Sequence, residues 1–513
     1  MNALSAILAT LADQQFAVLG LVLSLVVGYV ICNAIYNLYF HPLAGFPGPW
    51  WAHVSTLHEF YYDVVQGGLY TKVIHQMHEK YGPIVRITPR ELHISDATYF
   101  HEIYTGPSRL RTKDAEFVKN IPLPTSMVNT INHELHRKRR SYLSNFFSKQ
   151  SINGIEFLMQ EKVDRMVARL KQDCQSGKTV EMYYVSSSLT SDIISHYSYG
   201  ESFGLLDDPE YSGTSVDGSN SLLKSLHILR FFPFLVVVMK PLPLWLAKLI
   251  SPELGSIVEF GDYLSARAKQ AVASPQALGL SKGTVFEALL SPEIPVHERT
   301  TQRLADEAML VQLAGTDTTS RALTSVVYRL LGNQRTLVKL KAELKTSMPT
   351  PDSTIYLKEL EKLPYLTAVL SESLRMLYLA SRAPRIAPTE TLQYKQWTIP
   401  AGSVMGASLY LSQHDPAYYP DPYVFRPERW LEAAARGEKL PLFIFGHGAR
   451  SCLGLNLAWA ELYLATAALF RKFDMEAVKG GDVGFDNYRE FGFGFSKEGK
   501  FGMKVRITGV VEE

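Results

Sequence analysis

The chain has 513 residues, of which 46% are apolar and 20% are charged, and this balance excludes a disordered or collagen-like polypeptide. It carries 52 Lys and Arg against 50 Asp and Glu, so its near-neutral charge gives no electrostatic footprint for nucleic-acid binding. The three cysteines, Cys32, Cys174 and Cys452, are too few for a disulfide framework, and a chain of this length buries a large core without one.

The first predicted element is a membrane-spanning helix near the N-terminus. No charged residue occurs from Gln14 to Phe40, and a helix of that length covers the ~30 Å hydrocarbon layer of a bilayer. A cleaved signal peptide fits less well, because no Lys or Arg precedes the apolar segment and interface-type aromatic residues end it. We therefore predict a short tail at residues 1–13 and a transmembrane anchor at residues 14–40, with the bulk of the chain cytosolic.

Behind the anchor, the sequence predicts a stiff hinge and then one folded domain. Prolines within residues 41–50 fix backbone angles and prevent the helix from continuing. Helical periodicity dominates residues 51–513, and short strand-like stretches occur at residues 84–87 and 92–94. Neither a repeat nor a low-complexity linker divides this part, so the predicted fold class is mainly α with minor β.

A strongly apolar stretch at residues 231–250 leaves two interpretations open. Its three prolines argue against a second membrane-spanning helix. The stretch is either buried core or a hydrophobic surface that dips into the same bilayer, where an apolar substrate could enter.

Polar residues interrupt the apolar helix predicted at residues 309–330, in the run Ala-Gly-Thr-Asp-Thr-Thr at 314–319. Asp, Thr and Gly are poor residues in the middle of a helix, and such a local inconsistency often marks a functional site. Gly315 would let a ligand approach this face, and Asp317 with Thr318 forms an acid–alcohol pair suited to proton delivery. The alternative is a Thr-rich kink without a chemical role.

Glu372 and Arg375 lie one turn apart on another predicted helix. Taken alone, such a pair is more often a surface ion pair, and a chain of this length contains about one Glu-x-x-Arg by chance.

The cysteine loop carries the clearest chemical signal. Residues 445–454 read Phe-Gly-His-Gly-Ala-Arg-Ser-Cys-Leu-Gly, and an apolar helical pattern follows at once. Cys452 is thereby predicted at a helix N-terminus, where free amides and the helix dipole favour a thiolate. Gly448 and Gly454 would leave room beside it for something flat and large. A single thiolate suits an axial ligand of haem iron better than a zinc site or an iron–sulfur cluster.

These residues resemble the haem loop of the cytochrome P450 family, Phe-x-x-Gly-x-Arg-x-Cys-x-Gly, which the chain matches at all five defined positions. The resemblance covers roughly residues 42–510 and implies the P450 fold with one haem b. Cys452 would be the axial ligand of the haem iron, and Phe445, Gly446 and Arg450 would contribute to cofactor binding.

The same resemblance implies roles for residues outside the loop. Thr318, with Asp317 beside it, would be the proton-network residue of the oxygen-activation motif. Glu372, Arg375 and Arg429 would form a cluster that braces the cysteine loop, and the role of this cluster would be structural.

Haem propionates need cations or hydrogen-bond donors. The resemblance places the candidates at His136, Arg140, Arg385 and Arg450. The chain departs here from the family, whose Trp-x-x-x-Arg is replaced by a run that begins with His136. An imidazole can still donate a hydrogen bond, but it has less packing area than an indole.

The basic run at residues 136–140 has two further interpretations. One is a solvated helix face. In the other, exposed Arg137, Lys138 and Arg139 attract an acidic electron-donor flavoprotein.

The substrate pocket is predicted from position alone, with plain core as the alternative for each residue. Met309, Leu313 and Ala314 would look over the haem from the helix at residues 309–330. Ala380 and Ser381 would line the other wall, and the loop at residues 109–131 and the turn near Phe493 would contribute.

The predicted function is that of a haem-thiolate monooxygenase that hydroxylates or epoxidises an apolar small molecule. Electrons would come from NADPH through NADPH–cytochrome P450 reductase, with cytochrome b5 as an optional further partner, at the endoplasmic reticulum membrane. Segments at residues 39–49, 58–68 and 81–87 are similar to filamentous-fungal, trichodiene-oxygenase-type enzymes of secondary metabolism. A terpenoid or polyketide-type substrate is the corresponding expectation.

Three alternatives remain. A thiolate-haem isomerase or lyase would work without external electrons, and it would not need the pair formed by Asp317 and Thr318. A non-catalytic haem-binding membrane protein would not need that pair either. A membrane-anchored serine hydrolase would use Ser202, the centre of a Gly-x-Ser-x-Gly run at residues 200–204, but that motif needs a strand before it.

Overall fold

The computed structural model describes residues 2–119, 121–211, 213–239, 242–273, 284–379, 382–484, 488–497 and 499–512. The helices in chain order are α1 (Asn2–Ile35), α2 (Trp50–Val54), α3 (Leu57–Phe60), α4 (Tyr70–Tyr81), α5 (Phe100–Ile103), α6 (Ala115–Val118), α7 (His133–Ser144), α8 (Lys149–Gly154), α9 (Glu156–Ser176), α10 (Met182–Tyr199), α11 (Gly213–Phe231), α12 (Phe234–Met239), α13 (Leu244–Ile250), α14 (Pro252–Ala273), α15 (Val285–Leu290), α16 (Thr301–Leu331), α17 (Gln334–Ser347), α18 (Leu357–Leu360), α19 (Pro364–Met376), α20 (Leu409–Gln413), α21 (Glu428–Ala435) and α22 (Leu455–Lys472). The predicted mainly helical fold is confirmed.

The strands are short apart from two near the C-terminus. They are β1 (Ile84–Arg86), β2 (Glu91–Ile94), β3 (Thr112–Lys113), β4 (Thr179–Glu181), β5 (Arg385–Ile386), β6 (Leu392–Tyr394), β7 (Trp397–Ile399), β8 (Val404–Gly406), β9 (Phe473–Val483), β10 (Arg489–Glu490), β11 (Gly494–Phe495) and β12 (Gly502–Val510). Among the described residues, one sheet has the order β1-β2-β8-β5-β3, and a second has the order β4-β12-β9. In the first sheet only the β2–β8 pair is parallel. Two further antiparallel pairs are β6–β7 and β10–β11.

The main hydrophobic core lies between the long helices α9, α10, α16, α19 and α22. Their apolar residues recur at helical spacing, so each helix buries one stripe against its neighbours. Leu366, Leu370, Leu462 and Leu469 show the pattern, because all four are fully buried. A second core covers the first sheet. The sheet and the helical core together fix the positions of α16 and of the loop before α22.

The segment at the N-terminus is a long apolar helix that is followed directly by a packed hinge. Residues Gln15–Phe40 are long and apolar enough to cross a membrane. The helix begins at Asn2, within the predicted tail, and its last turn widens into a π-helical turn at Tyr36–Phe40. In the hinge, Leu43 and Phe46 are buried in the core that covers the first sheet. The hinge is therefore packed against the domain over these residues.

The apolar stretch at residues 231–250 forms α12 and α13 within its described part. Many of its large apolar side chains are exposed, and these are Phe232, Phe234, Val237, Val238, Trp245, Leu249 and Ile250. The buried-core interpretation is therefore wrong for these side chains. An exposed apolar surface of this kind marks an interaction with a membrane or with another protein.

Candidate active site

The cysteine loop is a closed backbone turn in front of α22. The Cys452 N–H donates to the Phe445 carbonyl oxygen at 2.8 Å, and Gly446 adopts a left-handed φ of 67° that a residue with a side chain rarely takes. The Cys452 side chain is accessible from one side, and protein atoms surround the rest of it. The loss of water on those sides raises the pKa of the thiol, whereas the Gly454 N–H and the charge of Arg140 lower it. The geometry presents one sulfur with a backbone donor.

The two glycines that were expected to leave room beside Cys452 differ in role. A Cβ on Gly448 would lie 2.0 Å from the Thr105 carbonyl oxygen, and the neighbouring Ala449 N–H donates to that same oxygen at 2.9 Å. Gly448 therefore permits a close approach of two backbone segments, and the expectation that it makes room for a ligand is wrong. A Cβ on Gly454 would meet nothing within 4 Å.

Helix α16 presents different faces to different neighbours. The Thr318 hydroxyl donates to the Ala314 carbonyl at 2.8 Å, one turn earlier, and Ala314 is exposed. Gly315 faces α10, because a Cβ there would lie 2.8 Å from the Ile194 Cγ1. The glycine allows α10 and α16 to pack closely, so the expectation that it admits a ligand is wrong.

Asp317 is buried on the side of α16 that faces α10. The Tyr183 hydroxyl donates to its Oδ1 at 3.1 Å. Burial raises the pKa of Asp317, whereas the charge of Arg321 and the Tyr183 hydroxyl act in the opposite direction. Asp317 and Thr318 are neighbours in sequence, but the hydrogen bonds of their side chains point to different partners, since successive helical residues are turned by about 100°.

A group of basic side chains lies near the cysteine loop and includes all the predicted propionate partners; His136 and Arg385 are buried, whereas Arg140 and Arg450 are half-buried. Arg450 donates to the Thr130 and Ile131 carbonyls at 2.7 and 2.8 Å, which ties the cysteine loop to the segment before α7. Arg140 donates to the Ser451 carbonyl at 2.7 Å. Arg385 is buried and donates to the Ala383 carbonyl at 3.0 Å.

Lys113 belongs to the same group, and the sequence did not indicate it. It stands opposite Arg385 in the β3–β5 pair, and its Nζ donates to the Val128 carbonyl. Burial lowers the pKa of Lys113 well below its usual value, and the charges of Arg385 and Arg450 lower it further. No local pattern could have identified Lys113, because β5 lies far away in the sequence.

The charges of these basic side chains indicate which kind of ligand they can bind. Burial, followed by the charge of Arg450, lowers the pKa of His136 to about 2. Burial, followed by the charge of Arg385, lowers the pKa of Arg450 to about 9, and its buried Nε has no hydrogen-bond partner. Cations that repel one another in a buried site fit a ligand with two negative charges. Together with one thiolate, this donor set fits a haem with its two propionates.

Glu372, Arg375 and Arg429 are brought together in a fully buried cluster. The Arg375 Nη2 and the Arg429 Nε donate to Glu372 Oε1 at 2.8 and 3.0 Å. The Trp430 Nε1 donates to Glu372 Oε2 at 2.9 Å. Burial of the carboxylate opposes its ionisation, but these donors hold the pKa of Glu372 below its usual value.

A residue that the sequence did not reveal connects this cluster to the cysteine loop. Arg375 donates to the Gln413 carbonyl at 3.0 Å, and the Gln413 side chain donates back to the Arg375 carbonyl at 2.9 Å. The Gln413 Oε1 also accepts the Ile444 N–H at 2.8 Å, immediately before Phe445. This buried amide gives a direct physical path from the cluster to the loop.

The remaining predicted site residues are placed as follows. Leu313 is half-buried, and Met309 packs against the main core. Ala380 and Ser381 lie outside the described residues. Arg137 is exposed and pairs with Glu134.

The expectation that Arg139 is exposed for docking is wrong. Arg139 is only partly accessible, and its Nε and Nη2 donate to the Glu298 carboxylate at 2.8 and 3.0 Å. Its charge is therefore used inside the fold.

The Gly-x-Ser-x-Gly run follows a helix. Helix α10 ends at Tyr199, and Gly200 caps it in the left-handed conformation with its N–H on the His196 carbonyl. The strand that a nucleophile elbow requires is not what precedes Ser202, so the hydrolase interpretation is wrong.

Known proteins of similar sequence and fold show the family of this chain. The sequence profile "Cytochrome P450" matches residues 46–500, and the chain belongs to this family. A solved structure of a cytochrome P450 (CYP102L1) has the same fold, with a TM-score of 0.68 at 17% identity, over 85% of this chain and 94% of that one.

The chain is a cytochrome P450 monooxygenase, since curated relatives of that description match most of its length. The monooxygenase TRI4 of Trichoderma arundinaceum is 38% identical over 87% of each chain. The monooxygenase astB of Aspergillus terreus is 37% identical over 97% of this chain and 99% of the relative. Conidiogenone synthase PchP450 of Penicillium rubens is 43% identical over 94% of this chain and 97% of the relative.

Proposed function

We propose that this monooxygenase hydroxylates or epoxidises an apolar intermediate of fungal secondary metabolism, of the terpenoid or polyketide type. The observation that carries the proposal is the single sulfur of Cys452 beside a poorly solvated group of basic side chains, a donor set that fits haem and its propionates. The relatives TRI4 and conidiogenone synthase support a secondary-metabolite substrate. One oxygen atom enters the substrate, the other leaves as water, and NADPH supplies two electrons through a reductase.

The residues of the chain have separate roles in the proposed reaction. Haem, when bound to Cys452, supplies the oxidising chemistry, and thiolate ligation favours cleavage of the O–O bond. His136, Arg140, Arg385 and Arg450, together with Lys113, would hold the propionates. Asp317 stores a proton behind α16, and the Thr318 hydroxyl passes protons on the exposed side of that helix. Glu372, Arg375 and Arg429 keep the cysteine loop in position through Gln413.

The membrane arrangement follows from the apolar surfaces. Residues 14–40 anchor the chain in the endoplasmic reticulum membrane, with residues 51–513 forming the catalytic domain on the cytosolic side. The exposed side chains of α12 and α13 dip into the same bilayer. Phe60 contacts Phe231 with a ring distance of 5.2 Å, so α3, which follows the hinge in the chain, and the end of α11 adjoin. An apolar substrate would enter from the bilayer at this place.

The partners are NADPH–cytochrome P450 reductase and, as an auxiliary electron donor, cytochrome b5. Of the basic run, Arg137 and Lys138 are exposed and available for an acidic partner, whereas Arg139 is engaged with Glu298. Electrostatic complementarity of this kind mainly raises the rate of association.

The test is co-expression of the full chain with a reductase, followed by metabolite profiling against Cys452→Ser. We expect a carbon monoxide difference band typical of a thiolate-ligated haem, and an oxygenated product that requires NADPH. Product formation that is indifferent to NADPH would instead support an isomerase or lyase. Thr318→Ala should bind haem normally but release NADPH electrons as peroxide, and unchanged coupling would refute its role.

A further inference from the structure

Asp317 belongs to a buried polar network that three helices share. The Tyr183 hydroxyl of α10 donates to the Asp317 Oδ1 at 3.1 Å and lies 3.3 Å from the Asn220 Oδ1 of α11. The Arg321 Nη2 donates to that same Asn220 oxygen at 2.7 Å, and its Nη1 donates to the Gly494 carbonyl at 3.0 Å. One amide oxygen on α11 therefore attracts both groups that act on Asp317.

Arg321 follows Asp317 by one helical turn and is a fully buried cation. Aromatic rings surround its guanidinium carbon, with the centroids of Phe495 and Phe501 at 4.4 and 4.5 Å and those of Tyr183 and Phe493 at 5.1 and 5.2 Å. Rings attract a cation through their negative faces and also exclude water. The positive charge is thereby fixed beside Asp317 and is not screened by solvent.

We propose that Tyr183, Arg321 and Asn220 are positioning residues for Asp317. Because Asn220 lies on α11, the strength with which Tyr183 and Arg321 interact with the Asp317 carboxyl depends on the position of α11. Asn220 competes with Asp317 for the proton of the Tyr183 hydroxyl. This inference rests on the proposed role of Asp317 in proton delivery.

The consequence is a carboxyl whose protonation is set by three neighbours. Burial alone raises the pKa of Asp317, and the Arg321 charge and the Tyr183 hydroxyl reduce that effect. The groups that face it are Tyr183 from α10 and Arg321 from α16, with Asn220 of α11 behind them. A proton donor must release and regain its proton, and the contacts with Arg321 and Tyr183 favour the ionised form of Asp317 against the effect of burial.

Helix α11 connects this network to the proposed path of substrate entry. Helix α11 leads directly into α12, whose exposed apolar side chains belong to the proposed entry surface. A substrate that shifts α11 also shifts Asn220. When Asn220 withdraws, the Tyr183 hydroxyl serves Asp317 alone and favours its ionised form.

The experiment measures the protonation of Asp317 directly. Infrared difference titration of the full-length holoenzyme in nanodiscs follows the carboxylic acid band that Asp317→Asn removes. We expect Tyr183→Phe to move the titration of this band to higher pH by about one unit, a tenfold change in the protonation equilibrium. Asn220→Leu should move it to lower pH, because the competing acceptor is gone.

Tyr184→Phe is the matched control. Tyr184 is the next residue on α10, and its exposed hydroxyl donates to Asp217 of α11 at 3.0 Å, so it joins the same two helices without reaching Asp317. In Tyr184→Phe, the Asp317 band should titrate at the same pH as in the wild type. Equal titration of Tyr183→Phe, Tyr184→Phe and the wild type would overturn the proposal, and so would shifts of the same sign for Tyr183→Phe and Asn220→Leu.

A second readout separates this inference from the proposed function. The fraction of NADPH electrons released as peroxide should follow the shifted titration in Tyr183→Phe. If the band shifts as expected but Asp317→Asn couples like the wild type, the network is supported, and it is the proton-delivery role of Asp317 that fails.

Discussion

The guanidinium of Arg86 donates to the carbonyl oxygen of Asn37 at 2.8 Å and so joins the first sheet to the π-helical turn that follows α1. Arg86 is fully buried, and its Nη2 also donates to the Pro89 carbonyl at 2.7 Å. The last carbonyls of a helix lack partners within the helix and carry a partial negative charge, which a cation satisfies. This contact ties the end of the long apolar N-terminal helix to the domain.

We predict that Arg86→Met loosens the hinge at residues 41–50. The substitution keeps most of the volume but leaves the Asn37 carbonyl without its donor, which costs about 1–3 kcal/mol. Limited proteolysis of the protein in nanodiscs should cleave the hinge about tenfold faster. Arg90→Met is the control, because Arg90 is half-exposed and pairs with Asp114 at 2.9 Å. Equal cleavage of the two variants would contradict the prediction.

We predict that Glu372→Gln destabilises the domain by about 3–5 kcal/mol, since two buried arginines lose their counter-charge. The measurement is thermal unfolding together with retention of haem. Glu432→Gln should cost less than about 0.5 kcal/mol, because its pair with Arg426 at 3.0 Å is exposed.

The same cluster gives a pH dependence. The pKa of Glu372 is lowered in the folded state, so the stabilisation is present above its ordinary value near 4.5 and is lost as the pH falls further. The stability difference between wild type and Glu372→Gln should therefore shrink below about pH 4. A difference that stays constant down to the acid limit would speak against the ionised cluster.

His227 of α11 gives the opposite pH dependence. Its Nδ1 lies 3.8 Å from the Asp63 carboxylate, and its Nε2 lies 2.6 Å from the Glu490 carbonyl. Burial lowers the pKa of His227, but Asp63 and Glu490 outweigh it, so the pKa is raised overall. A raised histidine pKa stabilises the fold fully below about pH 6.5, and this contribution is lost as the pH rises through the folded value.

We predict that His227→Gln loses more stability at pH 6.5 than at pH 9, measured by thermal unfolding. Burial raises the pKa of Asp63 to about 6, so the charge attraction to His227 also weakens at lower pH, and the advantage of the wild type should be largest near neutrality. His75→Gln is the control. The His75 side chain is 45% exposed, so solvent screens its charge contact with Glu79 at 3.7 Å. A pH-independent difference would refute the charge contact.

Lys113 provides a prediction on cofactor retention. Lys113→Met removes one basic side chain from this poorly solvated group, so the haem-free protein should unfold at the same or a higher temperature, because the repulsion between Lys113 and the charges of Arg385 and Arg450 is gone. The holoenzyme should lose haem to apomyoglobin about tenfold faster, since one charge-assisted contact to a propionate is gone. Lys138→Met, on the exposed side of α7, should change neither quantity. Unaltered haem transfer in Lys113→Met would exclude Lys113 from the site.

Local sequence determined the features that depend on short-range patterns. The apolar anchor segment, the helix that carries residues 314–319 and the turn around Cys452 all follow from hydrophobic periodicity, glycine placement and one spaced motif. Such patterns act over a few turns of chain, so they can be recognised without the rest of the fold.

Only the tertiary structure decided which faces meet. It placed Lys113 opposite Arg385, Gly315 against Ile194, and Asp317 toward Tyr183 instead of beside the Thr318 hydroxyl. These relationships join residues that are far apart in the chain, and they depend on strand register and on the rotation of each helix about its axis. The packing of the whole core sets both, because a helix or strand buries whichever face its neighbours leave room for.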